Sequence, residues 1–213
     1  MYCIYQSHDN ADKEGNEMAT VLVISQTGGV GKSTLANESA FSLDRTQTPY
    51  SFFDLDEQGG GAHETIECED AELAIVDTPG RITDEWPEWL RNADVVVVPV
   101  RASMLEQAAF ERVREMLDQY APDVPHLIVL THWNRYTTNR EFLSWLEESK
   151  EPQETILTIP LSEAILRAQS ENESVVTSSR KSSSAVKVME FVNAVRTLAG
   201  LSEEQQKSRG LQK

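Results

Sequence analysis

Cysteine is almost absent from this chain. Cys3 and Cys68 are the only two, in unrelated contexts, so they supply neither a metal-ligand spacing nor a disulfide framework and read as incidental thiols. Long apolar runs are missing as well. No stretch approaches the length that spans a bilayer, and the start Met1-Tyr2-Cys3-Ile4-Tyr5-Gln6-Ser7 lacks a basic region followed by an apolar one, so the expectation is a cytoplasmic protein. Positive charge is scarce: 19 Lys and Arg stand against 35 Asp and Glu, a formal net charge of −16, which excludes a surface coated all over for nucleic acid. The deficit is uneven, because residues 163–213 carry a net +2 and the first 162 carry −18. Any nucleic-acid face therefore belongs at the C-terminal end, and the acidic remainder keeps the protein in solution. No linker rich in Pro, Gly or Ser divides the 213 residues, enough for one α/β domain with a full core. The expected organisation is a polar, disordered lead-in over 1–18, with Met18 as an alternative start, one domain over 19–200, and a flexible polar tail over 201–213.

What the sequence does hold is Ser25-Gln26-Thr27-Gly28-Gly29-Val30-Gly31-Lys32-Ser33-Thr34, directly after the apolar run Val21-Leu22-Val23-Ile24. A β-branched run that stops at a glycine-rich turn and gives way to a helix-forming segment is the context a phosphate-binding loop needs. Glycines at 28, 29 and 31 let the backbone approach a polyphosphate with its N–H groups turned inward, and the following helix N-terminus adds partial positive charge. Lys32 would reach the β- and γ-phosphates, and the Ser33 hydroxyl would face Mg²⁺. The common spacing wants a glycine where Gln26 stands, so the loop is a variant. A ligand-free glycine turn is the plainer alternative; the flanking strand, the Gly-Lys-Ser triplet and the acidic motifs downstream weigh against it.

Those motifs follow in order. Tyr50–Leu55 reads as a strand delivering Asp54-Leu55-Asp56-Glu57-Gln58-Gly59-Gly60-Gly61, and strand alternation puts Asp54 and Asp56 on one face at the end where open α/β sheets take ligands. Ala71-Glu72-Leu73-Ala74-Ile75-Val76 reads as an apolar strand that ends in Asp77-Thr78-Pro79-Gly80, and a carboxylate at a strand end is suited to holding a metal-bound water. Only about twenty residues separate Asp56 from Asp77, room for a short helix or hairpin around Ala62–Cys68.

The loop G-G-x-G-K-[ST] resembles the deviant Walker motif of the ParA/MinD family of ATPases, which includes plasmid and chromosome partition proteins and the nitrogenase iron protein. Asp54–Gly61 is similar to that family's first switch, D-x-D-P-Q-G, with Glu57 in place of proline, and Asp77-Thr78-Pro79-Gly80 to its second. Ala93–Val100 resembles the A-D-x-V-x-x-P-V segment, and Ile159–Ile165 the I-P-x-x-x-A-I turn beside the base. The resemblance spans nearly all of 19–200, at the compact, ParF-like end of the family. It implies a three-layer P-loop NTPase fold, a mostly parallel twisted sheet with helices on both faces, and ATP and Mg²⁺ as cofactors. By the same likeness Thr27, Gly28, Gly29, Val30, Gly31, Lys32, Ser33 and Thr34 surround the phosphates, and Asn134 and Pro160 lie by the base. Ser33, Asp54 and Asp77 serve the metal. Lys32 and Asp56 are the catalytic pair, Asp56 orienting or activating the attacking water. One departure stands out. Where the family has a lysine that reaches across a nucleotide-sandwiched dimer to the partner's phosphates, this chain has Thr27. Arg81, just past the second switch, is the nearest candidate for the missing charge, although a solvated surface arginine is the plainer reading.

Elsewhere the periodicities are ordinary. Trp86, Trp89 and Leu90 lie three and four apart on a short helix capped by Thr83 or Asp84 and read as core rather than as a partner patch. Ala93–Val100 reads as a strand buried on both faces, and helical spacing runs from Leu105 to Leu117. A strand at His126–Leu130 ends in Thr131-His132-Trp133-Asn134-Arg135, with His132 an ordinary loop histidine. A helix at Asn139–Glu148, a strand at Thr155–Ile159 and a helix at Ser184–Leu198 complete the pattern, the last with Val188, Phe191, Val192 and Val195 inward. Arg180, Lys181, Lys187 and Arg196 form either a phosphate-contacting face or a solvated helix edge. The tail after Gly200 lacks the apolar face of a MinD-like membrane anchor, so no membrane attachment is expected.

The functional expectation that the resemblance carries is a ParA-like ATPase, nucleoid-associated in the cytoplasm. It would form a homodimer when ATP-bound, bind DNA without sequence preference, and answer to a ParB-like or cargo adaptor protein in distributing a plasmid or other cargo. Two rivals stand beside it: a biosynthetic P-loop synthetase of the dethiobiotin or cobyric acid type, for which the short Asp56–Asp77 span leaves little pocket-building chain, and a hydrolysis-poor ATP-binding switch.

Overall fold

A computed structural model describes residues 18–56 and 62–201. The expected lead-in up to residue 17, the glycine segment 57–61 of the first switch and the tail beyond 201 lie outside the described residues. The strands are β1 (Ala19–Val23), β2 (Tyr50–Asp54), β3 (Leu73–Asp77), β4 (Val95–Val100), β5 (His126–Trp133) and β6 (Glu154–Pro160). They form one sheet in the order β2-β3-β1-β4-β5-β6, and every paired neighbour is parallel. The helices are α1 (Lys32–Thr46), α2 (Trp86–Arg91), α3 (Met104–Tyr120), α4 (Thr137–Glu148), α5 (Glu163–Ser170), α6 (Val175–Ser178) and α7 (Ser183–Leu198).

Because side chains alternate along a strand, each strand feeds two cores. Val21, Val23, Phe52, Ile75, Val97 and Val129 face α1, α5, α6 and α7, where Leu35, Leu43, Val175, Phe191 and Val195 meet them. Leu22, Ile24, Val76, Val96, Val98 and Ile128 face α2, α3 and α4, against Trp86, Leu90, Phe110, Leu117 and Leu146. The result is the three-layer α/β arrangement expected. Trp86, Trp89 and Leu90 are core, as their spacing predicts. Pro99 sits in a central strand without cost. Val97 bonds toward β1 and Val96 toward β5, so the missing N–H of Pro99 points toward β1, whose pairing with β4 ends at Val97.

Two polar contacts tie the helices down. The Glu38 carboxylate of α1 accepts the Ser174 hydroxyl (2.6 Å) and the Val175 N–H (2.8 Å) at the start of α6. Arg114 of α3 holds Glu154 of β6 through two bonds of 2.9 Å each.

The structure adds two elements that sequence spacing did not suggest, α5 and α6, each started by a serine (Ser162, Ser174) whose side chain accepts a backbone N–H of the first turn. The segment around Ala62–Cys68 takes the hairpin-like option: Ile66 pairs antiparallel with Phe52 on the outer edge of β2 through two 2.8 Å bonds. One expectation is corrected. Arg196 does not belong to a phosphate-contacting face: it is buried, and its guanidinium donates to the Thr46 hydroxyl (2.7 Å) and lies 3.5 Å from the Ser42 carbonyl. Lys187 is half-buried and ion-paired with Glu190, while Arg180 and Lys181 remain exposed.

Candidate functional site

β1 lies between β3 and β4, so its C-terminal end opens at the centre of the sheet, at the point where the strand order reverses direction. There the chain turns through residues 24–31 and re-enters as α1. Gly29 (φ 70) and Gly31 (φ 96) adopt left-handed backbone that a side chain would strain. Gly31 is the N-cap of α1 and offers no side-chain cap, so the first-turn N–H groups of a 15-residue helix are left for an anion. Val30 is fully buried, and its carbonyl accepts the Thr131 hydroxyl (2.8 Å), which fixes the floor of the loop to β5. Lys32 is buried to 5% exposure. Gly80 presses on the loop from the other side: a methyl group there would stand 3.2 Å from both the Gly28 Cα and the Lys32 Nζ.

Strand register delivers the acids. Asp77 pairs with Val23 on one side and with Asp54 on the other, so both carboxylates reach the same sheet edge as the loop. Asp77 is 2% exposed, hydrogen-bonded by Ser33, and its Oδ1 is buried with no partner among the described residues. Burial pushes its pKa up to about 6; Ser33 and Lys32 pull it down, and Asp54 and Asp56 add to the rise. Asp54 accepts the Asp56 N–H (3.0 Å) and so shapes the turn that carries Asp56 into the cleft. A buried, half-partnered carboxylate with two more beside it is short of positive charge. With a serine hydroxyl at hand, the donor set fits Mg²⁺, a hard cation that takes few protein oxygens and completes its shell from phosphate and water. Ser33 and Asp77 would hold it, with Asp54 behind them.

The cleft so formed has a volume of about 470 Å³, with Gly28, Lys32, Ser33, Asp56, Gly80 and Arg81 among its walls. Beside it opens an apolar hollow lined by Leu35, Ile159, Pro160, Leu161, Ile165 and Leu166. Of the residues singled out from the sequence, Gly28, Gly29, Gly31, Lys32, Ser33, Thr34 and Asp56 come together around the cleft, and Pro160 lines the hollow. Two point elsewhere. The Thr27 hydroxyl donates to Glu106 Oε2 (2.7 Å), turning the side chain toward the start of α3. Asn134 accepts the Tyr136 N–H on its Oδ1 (3.0 Å) and is not among the residues lining the hollow.

Glu106 and Gln169 escaped the sequence reading, which took His132 for an ordinary loop histidine. Glu106 had a signal, the spacing Ser103-x-x-Glu106 of a capping box, and Ser103 does accept its N–H (3.1 Å). Its side chain, however, serves Thr27 and the Arg101 guanidinium (3.5 Å) instead of the helix end. Gln169 on α5 donates to the Thr34 hydroxyl and stands at both cavities. His132 also lines both, and nothing in its neighbours along the chain marked it.

The sequence model of the CobQ/CobB/MinD/ParA nucleotide-binding domain matches residues 21–175. No curated protein matches the chain. Among solved structures, the fold is similar to that of a Cyanothece McdA variant in complex with ATP, at 16% identity and a TM-score of 0.70 over 89% of this chain and 99% of that one. It is similar to the septum site-determining protein MinD of Pyrococcus horikoshii complexed with Mg-ADP, at 12% identity and 0.66 over 86% and 98%. A Borrelia burgdorferi protein assigned to plasmid partition and bound to AMPPNP follows at 14% and 0.63 over 84% and 97%. At such identities the likeness speaks for the fold.

Proposed function

This chain belongs to the CobQ/CobB/MinD/ParA nucleotide-binding domain family, and from that premise we propose that it is a ParA-like ATPase. It binds ATP with Mg²⁺, dimerises in the ATP-bound state, and uses the cycle to distribute or position a cargo. The observation that carries this reading is the half-partnered carboxylate of Asp77 buried beside Ser33 and Lys32 at the foot of an open helix N-terminus.

The roles follow from the chemistry. The loop amides and the Lys32 ammonium grip the β- and γ-phosphates, and burial of the lysine stem keeps that charge aimed. Ser33 and Asp77 hold Mg²⁺, which when bound neutralises phosphate charge. Asp54 fixes the Asp56 backbone, and Asp56 orients the attacking water and takes its proton. Gly80, with no side chain, lets the second switch lie against the Gly28 backbone and the Lys32 ammonium that would hold the phosphates. Exposed Arg180 and Lys181, doubled in a dimer, supply a weak DNA contact without base readout, and a ParB-like or cargo adaptor stimulates turnover. The protein works in the cytoplasm at the nucleoid; among the described residues no helix is long and apolar enough to cross a membrane.

The bond from Thr27 to Glu106 favours a slow version of this cycle. A charge-assisted contact to phosphate is missing from that position, a loss of roughly 10²–10³ in turnover by analogy with a single lost transition-state donor. Thr27→Lys should then raise ATP turnover.

Calorimetry with Mg-ATP tests the core of the reading. Wild type should take up one nucleotide per chain, Lys32→Ala should bind more than about tenfold more weakly, and ATP should drive dimer formation in light scattering. Failure of the wild-type protein to take up ATP in the presence of magnesium overturns it.

A further inference from the structure

At the end of β5 the backbone takes a costly turn. His132 adopts a left-handed conformation (φ 53) although it is neither Gly nor Asn, at the point where the register of β5 and β6 shifts between Leu130 and Trp133. Irregularities of this kind re-aim a side chain, and strained backbone persists where something is gained by it.

What the ring is aimed at can be read from the walls. His132 lines both the phosphate cleft and the apolar hollow. Four other residues stand at this junction: Gly31 brings only backbone, Leu166 is apolar, and Thr34 and Gln169 are bonded to each other. Among the described residues neither ring nitrogen of His132 has a hydrogen-bond partner within the chain, so a donor and an acceptor are left at the junction. Burial, and then the Arg101 guanidinium, hold its pKa below the usual histidine range. The ring is therefore neutral near pH 7, which suits it to a hydroxyl rather than to a phosphate.

A nucleoside triphosphate has a fixed covalent order. With phosphates on the loop and the flat apolar base in the hollow, the sugar must cross the junction. We propose that His132 is the nucleoside-positioning residue of this site, its imidazole hydrogen-bonding the ribose hydroxyls and so separating a ribonucleotide from bare polyphosphate. This rests on the ATP-site reading above and goes beyond it, since the sequence reading assigned the base end to Asn134 and Pro160 and left His132 as an ordinary loop residue.

The test is calorimetry with Mg²⁺ and three probes, ATP, 2′,3′-dideoxy-ATP and inorganic tripolyphosphate, on the full chain and on His132→Gly and His132→Asn. Glycine accepts φ 53 freely, so His132→Gly should melt no lower than wild type and still weaken ATP roughly tenfold, with tripolyphosphate changed by less than about twofold. In that variant the preference of wild type for ATP over the dideoxy form should vanish. His132→Asn, which tolerates the same backbone and keeps a donor and an acceptor, should recover part of the loss. Equal weakening of ATP and tripolyphosphate, or wild-type binding of dideoxy-ATP as tight as ATP, overturns the proposal while leaving the ATPase reading intact. A wild-type protein that binds neither ATP nor tripolyphosphate removes both.

Discussion

Replacing Asp77 by Asn should stabilise the metal-free protein at pH 8 while removing its response to magnesium. Asp77 is 2% exposed, and its pKa is raised from 3.8 to about 6, first by burial. The folded state therefore holds this proton more tightly than the unfolded chain. The stability tied to the group is complete below pH 3.8 and is lost as the pH climbs through 6. That interval corresponds to about 3 kcal/mol by pH 8, and to only about 1 kcal/mol at pH 4.5, where the folded carboxyl is still protonated. Asn carries no charge at either pH and can still accept from Ser33. Its amide, however, must find a partner where Oδ1 has none, which takes back about 1 kcal/mol. The net expectation is a gain of about 2 kcal/mol at pH 8, roughly 4–8 °C in melting temperature for a chain of this size, and almost nothing at pH 4.5. Thermal unfolding followed by circular dichroism in EDTA at the two pH values measures it. Adding Mg-ATP should then raise the wild-type transition by linkage and raise that of the variant, which keeps the loop amides and Lys32 but not the metal's carboxylate, by less and independently of magnesium. A variant no more stable than wild type at pH 8, or a difference equal at both pH values, would refute the reasoning.

Three further outcomes follow from the packing. Gly80→Ala should weaken Mg-ATP binding roughly tenfold in calorimetry while costing less than about 1 kcal/mol of stability, because the added methyl presses on the Gly28 backbone and the Lys32 ammonium rather than on the core. Arg114→Ala takes the cationic partner from Glu154, whose side chain is 1% exposed, so urea unfolding should show a loss of about 3–5 kcal/mol; pairing Arg114→Met with Glu154→Gln should recover most of it. Glu38→Ala strips the Ser174 hydroxyl and the Val175 N–H of their acceptor and should cost about 2–4 kcal/mol, whereas Glu38→Gln, which keeps one acceptor oxygen, should cost about half; equal losses would show that only side-chain volume matters there.

The order of the strands and the longer helices, the two cores and the cluster of Lys32, Ser33, Asp56 and Asp77 were legible in the amino-acid sequence because each depends on local rules. A β-branched run ends at a glycine turn, a strand alternates between two faces, and an acid stands at a strand's C-terminal end in an open α/β sheet, where ligands gather. Asp54 and Asp77 become neighbours as soon as β2 and β3 pair in register. Helix α5 was harder, since eight residues give too short a repeat for a clear period. What the tertiary structure alone decided is where side chains find partners far along the chain. Thr27 meets Glu106 across 79 residues, and Arg196 is drawn inward by Thr46 across 150. Asn134 is spent on its own turn, and a register shift swings His132 to the seam between two cavities. The physical reason is one of range. Backbone geometry and apolar periodicity are written in neighbouring residues, whereas the use of a polar side chain depends on which donors and acceptors folding brings within about 3 Å of it.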